Sequence, residues 1–502
     1  MGQGRVKKVV IVGGGTAGWM TAAMMSRQLG KKLDITLVES DAIGTIGVGE
    51  ATIPPIQLFN NVLGLDENDF VKNTQGTFKL GIEFQNWGKI GDRYMHTFGT
   101  IGKDVGMIQF YQYWMRAHRV GVASGLWDYS FNFQAAMAKK FARLDKVPDS
   151  PLSGITYAFH FDAGLYAKYL SGLAKQNGVT RVEGKVTKVN QRPEDGFITS
   201  VLLENGDQID GDLFVDCSGF RGLLIEETLE TGYHDWSHWL PVDRAIAVPS
   251  ENAGESRPYT QSIAHSAGWQ WRIPLQHRTG NGHVFSSKFM SEDEAANILL
   301  SNLEGEAIAE PRTIPFKTGM RKKFWNKNCV AIGLSSGFLE PLESTSIHII
   351  QTSITKLMIM FPNAGFDQAD IDEYNSQAMF DFERIRDFII LHYHATERSD
   401  SPFWDYVRTM DIPQELTRKM ELFKTSGRIF RNRTDLFNEP AWVQVMYGQG
   451  LSPSDYHPMA DALTEDQLKD YMANIKTIID TNIPKLPSQS DFIKRFCAAD
   501  QA

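Results

Sequence analysis

Cysteine is scarce: Cys217, Cys329 and Cys497 are the only three in 502 residues, and none stands in C-x-x-C spacing with another. That argues against both a disulfide framework and a structural zinc site, so a reducing compartment and no metal centre are expected. Positive charge is also short. Lysine and arginine number 51 against 60 acidic residues, and a formal net charge of -9 gives no long-range attraction for nucleic acid or an anionic membrane surface. Long apolar runs are missing as well. No window approaches the roughly 20 residues of a membrane-spanning helix. The N-terminal run from Val9 to Val12 is cut after four residues by Gly13, Gly14 and Gly15, which makes it a strand rather than a signal peptide. The expectation is a cytoplasmic protein whose partners are small molecules.

What is present is ordinary globular material, with 42% hydrophobic and 22% charged residues, and a chain long enough for more than one packed subregion. Its first forty residues carry a βαβ pattern. Val9 to Val12 reads as a buried strand, Trp19 to Leu29 as a helix closed by Gly30, and Leu33 to Val38 as a second strand ending at Glu39. Gly13, Gly15 and Gly18 stand in G-x-G-x-x-G register around Thr16 and Ala17, and Glu39 follows 21 positions after Gly18. Each residue has a reason. Gly13 permits the turn, Gly15 lets a pyrophosphate approach, Gly18 lets helix meet strand, and Glu39 can accept ribose hydroxyls.

Two later segments favour FAD over NAD. The segment from Asp212 to Arg221 resembles the strand-to-glycine segment that FAD-dependent hydroxylases place beside the cofactor, and Asn328 to Gly333 is another buried strand leading to a glycine. In those hydroxylases an aspartate follows the corresponding glycine, whereas Leu334, Ser335 and Ser336 follow here. Residues 104–145 are rich in Met, Phe, Tyr and Trp, and residues 368–502 read mostly as amphipathic helix. The expected division is therefore a discontinuous nucleotide-binding module, 1–103 and 150–367, with a mainly helical substrate-side module, 104–149 and 368–502.

Three further patterns bear on chemistry. In Gly268-Trp269-Gln270-Trp271-Arg272-Ile273-Pro274 the two indoles share one face of an extended strand, which Pro274 ends or confines to an edge. In the stretch from Thr77, residues Phe78, Leu80, Ile82 and Phe84 alternate with Thr77, Lys79, Gly81 and Glu83, a half-buried strand that puts Lys79 on the solvent face. Glu343-Ser344-Thr345-Ser346 precedes an apolar helix running to Phe361. Its hydroxyls suit N-cap positions, and its free backbone N–H groups make an anion site fit for a halide.

Taken together, Gly13-x-Gly15-x-x-Gly18, the loop Gly47-Val48-Gly49-Glu50-Ala51-Thr52-Ile53-Pro54, Lys79, Trp269-x-Trp271-x-Ile273-Pro274 and Glu343-Ser344-Thr345 resemble the flavin-dependent tryptophan halogenases. The resemblance implies an α/β fold: a flavin-monooxygenase-like, Rossmann-type FAD box with a mostly helical, pyramid-like substrate subregion. It also implies FAD, used as FADH2, held by Gly13, Gly15, Thr16, Ala17, Gly18, Glu39, Gly49, Ala51 and Gly333. Chloride or bromide would sit near Thr345 and Ser346, and O2 would be the oxidant. Lys79 and Glu343 match the essential lysine and glutamate. Lys79 would relay hypohalous acid, either by hydrogen bond or as a haloamine, and Glu343 would take the proton of the arenium ion. Trp269 and Trp271 match the tryptophans that bar the arene from the flavin, with His96 and Phe98 as aromatic neighbours of its ring.

The resemblance brings partners too: a separate NAD(P)H-dependent flavin reductase, a small aromatic substrate and, as an allowed arrangement, a homodimer. An aromatic hydroxylase of the same fold is the alternative. Two departures matter. Ser346 stands where family members have glycine, and the C-terminal Tyr-Tyr, Glu and Phe-Trp clamp for free tryptophan is missing, with the stretch from Asn438 to Gly448 in its place. The expected substrate is therefore an indole without the amino-acid head, or an indole within a larger molecule.

Overall fold

The structure, a computed structural model, describes residues 5–43, 49–362, 365–432 and 434–500. Gly47 and Val48 of the loop noted above lie outside the described residues. The chain forms two compact units. One comprises Met1–Gln75, Phe161–Asp243 and Pro315–Glu383, and the other Gly76–His160, Arg244–Ile314 and Arg384–Ala502. These boundaries differ from those expected from the sequence: residues 76–103, 150–160 and 244–314 belong to the second unit, and 368–383 to the first. For 76–103 and 244–314 the reason is that Gly81–Gln85 pairs in parallel with Thr260–His265, far along the chain, and so joins the two segments in one sheet.

The first unit is built on a sheet in which Cys329–Ala331, Leu213–Asp216, Lys8–Val12, Asp34–Glu39 and Thr180–Glu183 lie side by side, each parallel to the next. Val9, Ile11, Leu213, Phe214 and Val330 are fully buried, as a parallel sheet covered on both faces requires. Each such side chain contributes roughly 1.5–3 kcal/mol through removal from water. The helix Thr16–Leu29 makes the crossover from Lys8–Val12 to Asp34–Glu39 and packs on the helix Ser346–Ile359. The βαβ reading of the sequence holds.

The second unit contains a mostly antiparallel sheet with Arg244–Ser250, Thr279–Phe285, Gly268–Pro274, Thr260–His265, Gly81–Gln85 and Arg93–Thr97 as successive neighbours. The double-tryptophan strand is central in it, so Pro274 ends the strand and does not mark an edge. Helices Phe110–Arg119, Phe131–Met137, Pro402–Thr409, Gln414–Ser426, Glu439–Gly448, Glu465–Asn482 and Gln489–Phe496 fill out this unit. They fall where the aromatic-rich and amphipathic stretches placed them. Among the described residues no helix is long and apolar enough to cross a membrane.

Candidate functional sites in the two units

In the first unit the glycine loop is shaped by what a Cβ would strike. Gly13 has φ +113°, and a Cβ there would lie 2.2 Å from the Cys217 carbonyl oxygen; one at Gly18 would lie 1.9 Å from the Gly13 oxygen. Gly14, which the spacing argument left without a role, would drive its Cβ into the Glu39 carboxylate at 1.4 Å. Gly15 differs. A Cβ there meets nothing within 4 Å, and Gly15 caps the fourteen-residue helix Thr16–Leu29 without a side-chain hydrogen bond. Open space before an uncapped helix N-terminus fits a pyrophosphate, since the end of the helix dipole favours an anion.

The rest of the cradle gathers around this loop. Thr16 donates to the Ala163 carbonyl at 3.4 Å, and Gly333, with φ +80°, approaches Ala17 so closely that a Cβ would lie 2.8 Å from the alanine methyl. Glu39 ends its strand as expected, where Arg181 Nε donates to its Oε1 at 2.5 Å. Gly49 and Ala51 bound a short buried strand. Asp216 is buried at the tip of its own strand, accepting from the backbone N–H groups of Ser218, Leu224 and Ile225 at 2.8–2.9 Å. That network fixes the turn whose Cys217 carbonyl faces Gly13.

Glu343, Ser344, Thr345 and Ser346 also belong to this unit, in a segment more constrained than the sequence suggested. A 3-10 turn, Pro341–Glu343, leads into Ser344 at φ 58°, ψ 38°, and the helix Ser346–Ile359 begins two residues later. A non-glycine residue in the left-handed region is strained by about 1 kcal/mol or more and persists where the surroundings over-determine it. The capping expectation is corrected. Thr345 is the N-cap residue, but its hydroxyl makes no capping bond, and Oγ1 is buried without a partner among the described residues. Glu343 is fully buried. A buried carboxylate and an unsatisfied hydroxyl at a helix N-terminus are costly for folding alone.

In the second unit, Trp269 and Trp271 share a face as their spacing required, with ring centroids 6.1 Å apart and planes at 59°. The strand register explains the room they have. Trp269 lies opposite Ala264 and Val284, and Trp271 opposite Ser262 and Gly282, where a Cβ would lie 2.0 Å from the Trp271 ring. Both indoles are buried, and neither Nε1 finds a partner among the described residues. Trp269 also packs 6.4 Å from Trp87, which in turn meets Tyr393 and Trp404.

Lys79 overturns the alternation reading. It has no exposed surface, and residues 77–79 and 81–84 are buried throughout, because each face of this stretch is covered by protein. Its Nζ lies 5.4 Å from the centre of the Phe98 ring, a distance at which the ring's negative face attracts an ammonium. His96 is buried as well, 6.5 Å from Phe98, 5.7 Å from Phe388 and 6.0 Å from Phe437. Gln444 holds the segment between them, its Oε1 accepting from Thr97 N at 3.0 Å and Thr97 Oγ1 at 2.9 Å. Phe388, stacked on Phe437 at 3.9 Å and edge-on to Trp442 at 4.8 Å, extends the aromatic surface. The sequence reading missed these three, and only their aromatic character could have signalled them.

A glycine loop at a helix N-terminus, on a parallel sheet with two further strand-to-turn segments, defines an α/β protein of the dinucleotide-binding type. The remaining residues and the comparisons narrow this class. The chain belongs to the tryptophan halogenase family, whose model matches residues 8–465. It is 34% identical to a tryptophan 6-halogenase of Streptomyces toxytricini, over 97% of each chain. Among solved structures it is similar to a flavin-dependent halogenase from Xanthomonas campestris (TM-score 0.96, 47% identity, 99% of this chain and 100% of that one). A second, from Brevundimonas sp. BAL3, gives a TM-score of 0.94 at 45% identity over 98% and 99%. The protein is thus an enzyme of the flavin-dependent halogenase type.

Proposed function

We propose that this enzyme halogenates an indole-type arene that lacks the amino-acid head of tryptophan, with Lys79 and Glu343 as its catalytic residues and a separate NAD(P)H-dependent reductase supplying FADH2. The observation that carries this reading is the complete burial of Lys79 against Phe98, in the unit that also holds the double-tryptophan strand. An ordinary solvated lysine would not be there. Gly13, Gly15, Thr16, Ala17, Gly18, Glu39, Gly49, Ala51 and Gly333 would hold the flavin, which with O2 supplies hypohalous acid from chloride or bromide.

The chain's own groups do the rest. Thr345 and Ser346, at a helix N-terminus with an unsatisfied hydroxyl, bind the halide. Trp269 and Trp271 keep the arene from direct oxygen transfer. Lys79 donates a hydrogen bond from its ammonium to the oxygen of hypohalous acid, which weakens the bond from oxygen to halogen. The Phe98 face, 5.4 Å from Nζ, would stabilise that ammonium. The arene π-electrons attack the halogen, the oxygen takes a proton from the Lys79 ammonium and leaves as water, and Glu343 accepts the ring proton.

The substrate class rests on the missing tryptophan clamp and on the apolar surface of His96, Phe98, Phe388 and Phe437. Family membership disfavours the hydroxylase alternative. The test is incubation with FAD, a flavin reductase, NADH, bromide or chloride, and either indole or tryptophan, followed by mass spectrometry. Halogen isotope pairs on indole are expected, with far less product from tryptophan. Hydroxylated indole free of halogen would sink the proposal.

A further inference from the structure

His160 is a buried titratable group that the chemistry above does not use. It sits on the strand antiparallel to Thr77–Lys79, in a register that places Thr77 opposite His160, Phe78 opposite Phe159 and Lys79 opposite Ala158. Residues two apart on a strand share a face, so Thr77, Lys79, Ala158 and His160 all project the same way. Alanine directly across from Lys79 offers the lysine only a methyl group. Its diagonal neighbour on that face is His160, at a spacing long side chains can bridge.

The imidazole is fixed at both nitrogens. Thr77 Oγ1 donates its one hydrogen to the Pro274 carbonyl at 2.7 Å and also lies 3.0 Å from His160 Nδ1, while Nε2 lies 2.9 Å from Thr260 Oγ1. A carbonyl can only accept, so the Thr77 hydrogen is committed to Pro274 and Nδ1 must carry the proton it shares with Thr77. Nε2 then accepts from the Thr260 hydroxyl. Burial first, and the charge of Lys79 second, hold the imidazole well below its usual pKa, in keeping with a neutral ring in this one tautomer. His160 has no exposed surface, and every hydrogen bond it can form is made.

We propose that His160 is a positioning residue for Lys79: pinned as the Nδ1–H tautomer between Thr77 and Thr260, it fixes the path of the lysine side chain across the gap left by Ala158. The inference rests on the catalytic role proposed for Lys79. A histidine held this way presents a rigid, uncharged ring, which restrains the lysine without adding a second positive charge beside its ammonium.

Two replacements separate positioning from packing. His160→Leu keeps the apolar bulk and loses the hydrogen bonds; His160→Asn loses bulk but keeps an amide N–H where Nδ1–H donates to Thr77. The readout is halogenated indole formed per FADH2 consumed, with released hypohalous acid trapped by a soluble thiol. FAD binding and melting temperature are measured alongside. Misplacing a reacting group by about 1 Å can cost about 100-fold. His160→Leu is therefore expected to lower coupled halogenation on the order of 10- to 100-fold with FADH2 consumption unchanged, and His160→Asn to recover much of that loss. Leucine outperforming asparagine, or both variants coupling like the native enzyme, would overturn the inference.

Should either variant fail to fold, Thr260→Val removes only the Nε2 partner. It should show the same uncoupling at smaller amplitude, and native coupling there would count against the proposal. Lys79→Ala run in parallel keeps the two readings apart. If Lys79→Ala still halogenates, the function assigned to Lys79 fails; if it is inactive while the His160 variants couple normally, only the role of His160 fails.

Discussion

In the unit that holds the glycine loop, the candidate chemistry is carried mainly by backbone, with the buried Glu343 carboxylate as the exception: the open N-terminus at Gly15, the close approaches at Gly13 and Gly18, and the helix start at Thr345 and Ser346. In the unit that holds Lys79 it is carried by buried side chains: an ammonium over Phe98, two indoles over small neighbours, and an imidazole pinned at both nitrogens. The difference teaches where substitution is informative. Backbone sites respond to an added methyl group, whereas side-chain sites respond to a change of chemistry at constant volume.

The largest effect is expected where side-chain chemistry is removed. Lys79→Met keeps the length and apolar stem of the lysine and deletes the ammonium. Positioned proton-donating groups contribute typically about 10²–10⁴-fold. Halogenation of indole should fall by about 1,000-fold while FADH2 oxidation and flavin affinity stay at native values, as read by product mass spectrometry beside flavin absorbance. A proportional loss of flavin binding would mean that Lys79 supports the fold, and the contrast between the units would collapse.

Next in size is a pair of alanines in the glycine loop. Gly18→Ala forces a Cβ to within 1.9 Å of the Gly13 oxygen, whereas Gly15→Ala meets nothing within 4 Å. Overpacking against backbone should cost Gly18→Ala about 3 kcal/mol. Gly15→Ala should melt like the native protein yet bind FAD more weakly, because its methyl group occupies the space before the helix. Calorimetry and flavin titration check both, and equal melting temperatures for the two variants would break the backbone account.

These two cases also show what the sequence made legible. The glycine loop was readable because its constraint is local: strand, turn, helix and Glu39 follow one another directly along the chain, and Gly13 and Gly18 answer a φ angle or a close approach while Gly15 leaves open space. Gly14 was missed because its constraint, the Glu39 carboxylate, comes from the second strand. Lys79 was misread by periodicity for the same reason on a larger scale. Alternation reports one apolar face, but whether the opposite face meets water depends on segments far along the chain, and here both faces are covered. His160 and Gly282 gave no signal at all, since register alone sets them against Thr77 and Trp271. Thr345 looked like a cap by residue type. Its unsatisfied hydroxyl is visible only in three dimensions.

A smaller effect tests the tryptophan wall through its neighbour. Gly282→Ala places a methyl group 2.0 Å from the Trp271 ring, in a strand held on both sides. The indole must tilt, at a cost of about 2 kcal/mol. If Trp271 partitions flavin from arene, the variant should form some hydroxylated indole beside the halogenated product, which the native enzyme should not. A destabilised enzyme with unchanged products would assign Trp271 to the core alone.

The smallest effect concerns acid stability of the same sheet. His283 is fully buried, its Nδ1 lies 3.0 Å from the Ala295 carbonyl, and its ring is 5.1 Å from that of His265. Burial, only partly offset by the Ala295 bond, lowers its pKa to about 4, with His265 lowering it further. Unfolded, it titrates near 6.5. Between those values the unfolded chain binds the extra proton, so the stabilisation is complete above pH 6.5 and is lost progressively as pH falls toward 4. One proton sets a limit of about 1.4 kcal/mol per pH unit. His283→Asn, which keeps a donor for Ala295 but cannot titrate, should flatten the fall of melting temperature between pH 6.5 and 4.5 while leaving the value at pH 8 nearly unchanged. Parallel acid profiles for variant and native protein would show that some other group governs the acid limb, and that the polar side chains of this sheet do not set its pH response.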